Sequence, residues 1–260
     1  MSERRAPQPE PYVKHASPST PADYFPVEAA GLRWLAAVPD GAAVVQVQTV
    51  DRTRIVLDRL DPARPTDQAA AAFGRALART HAAGAPAFGA PPADWAGDGF
   101  IGRQRMSMRP TPTWGAFYAE QRLLPYAREA YDVDHLSAAA LAAVERVAGR
   151  LRAGDFDDGR PPARIHGDLW SGNMLFTPDG VVVIDPAAHG GHGLTDLAML
   201  HLFGAPRLDV VSAAYAEVAG LEPGWRDLVG LHQLHPLLVH AVSHGPAYGQ
   251  EAASVAHRYR

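Results

Sequence analysis

The chain has 260 residues, of which 47% are apolar, with a formal charge of −4, a pI near 6.3 and no cysteine. That length and apolar content suffice for one large domain or two lobes, while the mild acidity and scattered arginines exclude the basic footprint of a nucleic-acid binder. Disulfides, thiol nucleophiles and thiolate metal sites are excluded as well, and with no apolar signal core in MSERRAPQPEPYV and no run of about 18 apolar residues, a cytoplasmic protein without membrane spans is expected.

Residues 1–11 are charged and proline-rich and read as a loose leader before the short apolar-flanked segment YVKHA. In PADYFPVEAAGLRWLAAV, residues 21–38, apolar positions fall at helical spacing from Val27 onward, which puts Glu28 in the first turn of a helix. AAVVQVQTV (42–50) and RTRIVLDRL (52–60) read as two strands around a turn at Asp51 and Arg52. Beyond the proline-bearing LDPARPTD the character changes: AAAAFGRALARTHAAG (69–84) and LSAAALAAVERVAGRL (136–151) are long alanine-leucine helical patterns. Between them lie a glycine- and proline-rich loop over 84–102 and a helix over PTWGAFYAEQRLLPYAREA, 112–130. RIHGDLWSGNMLFTPDGVVVIDP (164–186) reads as strand, irregular loop, strand, turn at Pro178 to Gly180, and strand; from TDLAMLHLFG (195–204) to the end the chain is helical. The expectation is therefore a small mixed region over 1–60 and a mainly helical region over 61–260.

Two residue types occur once each: Asn173 is the only asparagine, and of the 24 lysines and arginines only Lys14 is lysine. In a chain that uses arginine wherever a generic cation suffices, one retained lysine marks a place where a compact ammonium is needed, since a guanidinium fork occupies different space. Asn173 follows Asp168 by five residues, and Asp185 closes the strand VVVIDP. Phosphoryl transfer needs a carboxylate to orient a hydroxyl and hard oxygen ligands to hold magnesium against phosphates. A neutral amide supplies such a ligand without adding a full negative charge beside them.

The pattern H-G-D-x-x-x-x-N followed by I-D resembles the catalytic and metal loops of the protein-kinase-like fold in its small-molecule variant. More narrowly, HGDLWSGN with IDPAAHGGH and TDLAM is similar to the fructosamine kinase, or ketosamine kinase, family; Lys14, Glu28, FGRALARTHAAGAPAFG, FIG, PTWGAFYAEQRLLP and LHQLHPLLVHAVSHG fall in the family's order. Aminoglycoside and choline kinases share the fold but usually lack a tryptophan two places after the aspartate, so Trp170 discriminates. The resemblance implies an α+β, two-lobed kinase-like fold with a small antiparallel N-lobe (1–60) and a helical C-lobe (61–260). It also implies an enzyme using ATP and Mg2+ to phosphorylate a hydroxyl of a small-molecule or protein-bound ketosamine, as repair of glycated amines. By position, Asp168 orients or deprotonates the hydroxyl, Asn173 and Asp185 bind magnesium, and Lys14 contacts phosphates and pairs with Glu28. Asp58, Arg59 and Leu60 correspond to the hinge that binds adenine, and Trp170 forms part of the sugar wall.

The sequence departs from the family pattern in two places. Two strands and a glycine-rich loop are expected before the lysine, yet Met1 to Val13 contains no glycine and is too short for them, so these strands are expected either upstream of Met1 or not at all. In the second case phosphate positioning would suffer, which motivates a non-catalytic kinase-like binding module as the alternative to an enzyme; an aminoglycoside or other small-alcohol phosphotransferase is the alternative substrate class. After IDP the family often carries an aromatic pair and GHREADLAM, whereas here Gly193 and Leu194 replace the charged pair and Asp196 remains, expected to accept hydrogen bonds from the catalytic loop. Gly97-Asp98-Gly99-Phe100-Ile101-Gly102 matches G-x-G-x-x-G but follows APPADWA rather than an apolar strand, and is expected to be a loop near the substrate side rather than a phosphate cradle. His232, His235, His240 and His244 lack a carboxylate partner, and Pro236 is expected to interrupt their helix, so they read as core or surface histidines rather than zinc ligands. Nothing in the sequence specifies an oligomeric state.

Overall fold

The computed structural model describes residues 10–260; residues 1–9, most of the expected leader, lie outside them. Its first part comprises β1 (Tyr12–His15), α1 (Tyr24–Ala36), β2 (Ala43–Val44), β3 (Val47–Val50) and β4 (Arg54–Leu57). β1, β4 and β3 form an antiparallel sheet in that order, with Lys14 opposite Ile55. The expected turn is held by Asp51, whose Oδ1 accepts from the backbone N–H of Thr53 (2.7 Å) and Arg54 (3.0 Å). Helix α1 begins at Tyr24, a turn earlier than the apolar spacing indicates, so Glu28 lies beyond its first turn rather than in it; Pro26 is accommodated in the first turn, where no helical N–H partner is needed.

The segment 42–50 is not one strand. Ala43–Val44 pairs in parallel with the later strand Gly180–Val183, while Val47–Val50 pairs with β4. Burial explains the split: Val44 and Val45 are both buried, so the in-out alternation of a single half-buried strand breaks there.

The remaining elements are α2 (Asp67–Ala82), β5 (Gly99–Ile101), β6 (Gln104–Met106), α3 (Trp114–Phe117), α4 (Leu124–Asp132), α5 (Ala138–Ala153), β7 (Ala163–Ile165), β8 (Met174–Thr177), β9 (Gly180–Val183), β10 (His189–Gly191), α6 (Leu194–Phe203), α7 (Leu208–Ala219), α8 (Val229–His244) and α9 (Pro246–Tyr259). The chain is thus α+β with a helical C-terminal part, as expected, and no described helix is long and apolar enough to cross a membrane. Thr66 caps α2 through Oγ1 and the N–H of Ala69 (3.2 Å), and Ser137 caps α5 in the same way. Helices α2 and α7 approach closely at Gly74, where a Cβ would lie 2.3 Å from the carbonyl oxygen of Val211. One apolar core joins α3, α4, α5, α8 and α9 around Phe117, Val147, Leu234 and Val255. A second unites α1 and β4 with α2, β9, α6 and α7 around Leu32, Ile55, Leu77, Val183 and Tyr215.

Two helical expectations are corrected. The run 112–130 is not one α-helix: α3 and α4 are separated by a π-helical stretch, Tyr118–Leu123. Pro125 has no N–H for the carbonyl of Gln121, which instead accepts from the Arg122 guanidinium (3.1 Å). Conversely, Pro236 does not interrupt α8. The carbonyl it leaves unpaired four residues back, that of His232, accepts from the Tyr118 hydroxyl at 2.9 Å, so a tertiary donor replaces the missing helical one. The loop predicted over 84–102 also contains β5, which pairs with β6 in a hairpin turning at Gly102 and Arg103.

Candidate active site

The catalytic-loop candidate begins where β7 ends. Gly167 takes φ +81° and passes so close to the segment after β9 that a Cβ would lie 2.3 Å from the carbonyl oxygen of Ala187. The loop is fixed from beneath by Asp196 in the first turn of α6. Its Oδ1 accepts from the N–H of Gly167 (2.8 Å), and its Oδ2 accepts from the N–H of His166 (2.8 Å) and from His81 Nε2 (2.9 Å). His81 Nδ1 in turn receives the Tyr215 hydroxyl at 2.7 Å. Burial alone would raise the Asp196 carboxyl, but the hydrogen bonds from His81 and the loop hold it below the ordinary carboxylate range. His166 donates Nε2–H to the carbonyl of Ile184 (2.8 Å) and accepts the N–H of Asp168 at Nδ1 (3.2 Å), and burial keeps it neutral. The loop is therefore held by side chains from α2, α6 and α7 as well as by its own residues.

Asp168 stands above this support. Burial pushes its carboxyl up to about 7, opposed by the Asn173 hydrogen bond and reinforced by the charges of Asp185 and Asp196. Asn173 Nδ2 donates to the backbone oxygen (2.8 Å) and the Oδ2 (3.1 Å) of Asp168 and reaches the carbonyl of Asp185 (3.4 Å). No described residue donates to its Oδ1. Asp185, at φ +55°, accepts from Lys14 Nζ, which also donates to Glu28 Oε1 at 2.8 Å. Lys14 is desolvated, but the carboxylates of Glu28 and Asp185 outweigh that and raise its pKa, so it is an ammonium. Glu28 itself is buried and raised by desolvation against the attraction of Lys14.

Two cavities meet at Asp168. The smaller, about 200 Å³, is lined by Glu28, Asn173 and Asp185 together with Tyr24, Phe100 and Pro186. The larger, about 620 Å³, is lined by Met199, Phe203, Val239, His240, His244 and Tyr248, among others. Asp168, Trp170 and Gly102 line both. Trp170, 40% exposed, lays its indole over Gly172, where a Cβ would be 2.3 Å from the ring. A third cavity of about 310 Å³ is lined by Asp58, Arg59 and Leu60 with Tyr12, Val45, Leu57, Leu175 and Ile184. Ile184 immediately precedes Asp185, so consecutive residues line this cavity and the smaller one.

The structure thus brings Lys14, Glu28, Asp168, Trp170, Asn173 and Asp185 into one cleft and puts Asp58, Arg59 and Leu60 in a neighbouring apolar cavity. Sequence reasoning missed His81 and Tyr215, which touch the loop only through tertiary contacts. It also missed the far wall of the larger cavity, for which neighbouring residues give no signal. The histidines divide: His232 and His235 are buried, whereas His240 and His244 line the larger cavity. No group of three or more histidine, aspartate or glutamate side chains suited to a metal occurs among the described residues.

Residues 6–259 match the family model for fructosamine kinase. A Synechocystis sp. protein assigned as a ketoamine kinase is 32% identical over 239 residues, 88% of this chain and 76% of its own length, and an Enterococcus faecium protein so assigned is 29% identical over 92% of this chain and 84% of its own. Among solved structures, a Thermobifida fusca protein assigned as a fructosamine-3-kinase superposes with a TM-score of 0.86 at 48% identity, covering 95% of this chain and 85% of that one. The gentamicin complex of the aminoglycoside phosphotransferase APH(2")-IIa superposes at TM-score 0.59 with 11% identity, covering 95% of this chain and 85% of that one, a likeness of fold alone.

Proposed function

The chain belongs to the fructosamine kinase family and is an ATP-dependent phosphotransferase acting on a sugar hydroxyl of ketosamines, and from that premise we propose how its residues divide the work. The observation that carries the reading is the position of Asp168, shared by a small cavity lined with oxygen ligands and a large one lined with apolar and aromatic groups. Phosphoryl transfer needs one residue that faces both the phosphates and the acceptor.

The hydroxyl of the ketosamine lies on the larger side, against Trp170, and Asp168 accepts its proton as the oxygen attacks the γ-phosphorus. The bond to the bridging oxygen breaks, and its electron pair leaves with ADP. A carboxyl poised near neutrality suits that role, because a large fraction is ionised near pH 7 and that fraction is basic enough to take the proton. Lys14 supplies positive charge to the α- and β-phosphates, held there by Glu28. Adenine occupies the cavity at Asp58–Leu60, where the N–H of Leu60 and the carbonyl of Asp58 bond no described residue. The donor set fits magnesium: Asn173 Oδ1 and the Asp185 carboxylate are hard oxygens beside the phosphate position. Bound there, the ion would neutralise phosphate charge; Asn173 and Asp185 are the residues that would hold it.

The test is ATP consumption with magnesium and a ribulosamine or fructosamine, with the phosphosugar identified by mass, for the wild type and Asp168→Asn. Turnover that falls about a thousandfold in the variant supports the assignment. A wild type that phosphorylates neither class of ketosamine overturns it.

A further inference from the structure

The larger cavity must take whatever is attached to the sugar, and its rim carries a guanidinium that no described residue pairs. Arg103 sits at the tip of the β5–β6 hairpin, exposed, and forms no ion pair or hydrogen bond with a described residue, whereas Arg105, two residues on, bonds Asp98 at 3.2 Å. Gln104, the next residue, donates Nε2–H to the carbonyl of Val239 in α8 (3.4 Å). That bond ties the hairpin to α8 and so fixes the tip that carries Arg103.

The hairpin tip thus offers a free guanidinium to the cavity. Apart from Asp168, no carboxylate lines that cavity, and Ile101, Met199, Phe203 and Val239 make much of the rest apolar. A carboxylate on the carbon beside the sugar-bearing nitrogen, next to an apolar side chain, matches this set: carboxylate to Arg103, side chain to the apolar wall.

We infer that the preferred substrates are ketosamines formed on the α-amino group of an apolar amino acid, with Arg103 as the residue that selects it. This deepens the kinase reading and rests on it. A ketosamine on a lysine ε-amino group within a protein has no carboxylate at that distance and leaves Arg103 unpaired.

The experiment compares kcat/KM for the ribulosamines of valine and of isobutylamine, which differ only by the carboxylate, in the wild type, Arg103→Gln and Arg103→Lys. The wild type is expected to favour the valine adduct about five- to tenfold, the ratio to fall to about one in Arg103→Gln and to be partly kept in Arg103→Lys. Equal wild-type rates on the two adducts, or an undiminished ratio in Arg103→Gln, overturn the inference while leaving the kinase reading standing. Failure to phosphorylate either adduct, with ribulosamine of Nα-acetyl-lysine also inert, removes the kinase reading and the inference together. Turnover of the lysine adduct alone overturns only the inference.

Discussion

The two cavities that meet at Asp168 are built by different means. The smaller draws Asp168, Trp170, Asn173, Asp185, Pro186 and Ala187 from a single stretch of about twenty residues and closes it with α1 and the β5–β6 hairpin. The larger is collected from α6, α8, α9 and the tip of a hairpin, elements far apart in the chain. One is rich in oxygen ligands, the other in aromatic and aliphatic side chains. On the proposed reading, reaction and selectivity are carried by separable parts, one fixed largely by a local motif and the other by the assembly of distant surfaces.

Substitutions on either side should keep to their side. Asn173→Ala should lower kcat about a hundredfold, with part of the loss recovered as magnesium is raised. A loss equal at every magnesium concentration would move the role of Asn173 from the metal to its hydrogen bonds with Asp168. Trp170→Ala should raise KM for the ketosamine about tenfold while KM for ATP changes less than about twofold. Because the indole borders both cavities, a change in the ATP value instead would show that the separation fails at this residue.

The smallest expected effect concerns Asp168 itself. Burial raises its carboxyl above the unfolded value, so the folded chain binds the proton more tightly and stability is lost as pH rises through about 7. Asp168→Asn, which cannot ionise, should therefore melt a few degrees above the wild type at pH 8 and level with it near pH 4. In the wild type, the same titration should make kcat/KM fall about tenfold per pH unit below that pKa. A variant that melts lower at pH 8 would mean that the hydrogen bond to Asn173 outweighs desolvation.

What could be read from sequence follows the same division. Asp168, Asn173 and Asp185 stand at short fixed intervals, and Lys14 and Glu28 were marked by rarity and helical position, so their convergence was legible. The hairpin at 99–106 was not, because each strand has three residues and lies among glycine and proline signals that favour a loop. Pro236 misled for a reason outside its neighbourhood: the hydroxyl that lets α8 continue belongs to Tyr118, more than a hundred residues earlier. His240 and His244 resembled any helical histidines until α6 and α9 packed beside them. Local periodicity carries no information about such partners.

The two-residue ladder between β2 and β9 has a mechanical consequence. It ties the segment following the Glu28 helix to a strand that ends two residues before Asp185. A clamshell opening about residue 60 would have to shear that ladder, so α1 and the Asp185 loop travel as one body. Because β4 packs in the same core as α1 and β9, the sheet that carries Lys14 is held to that body as well.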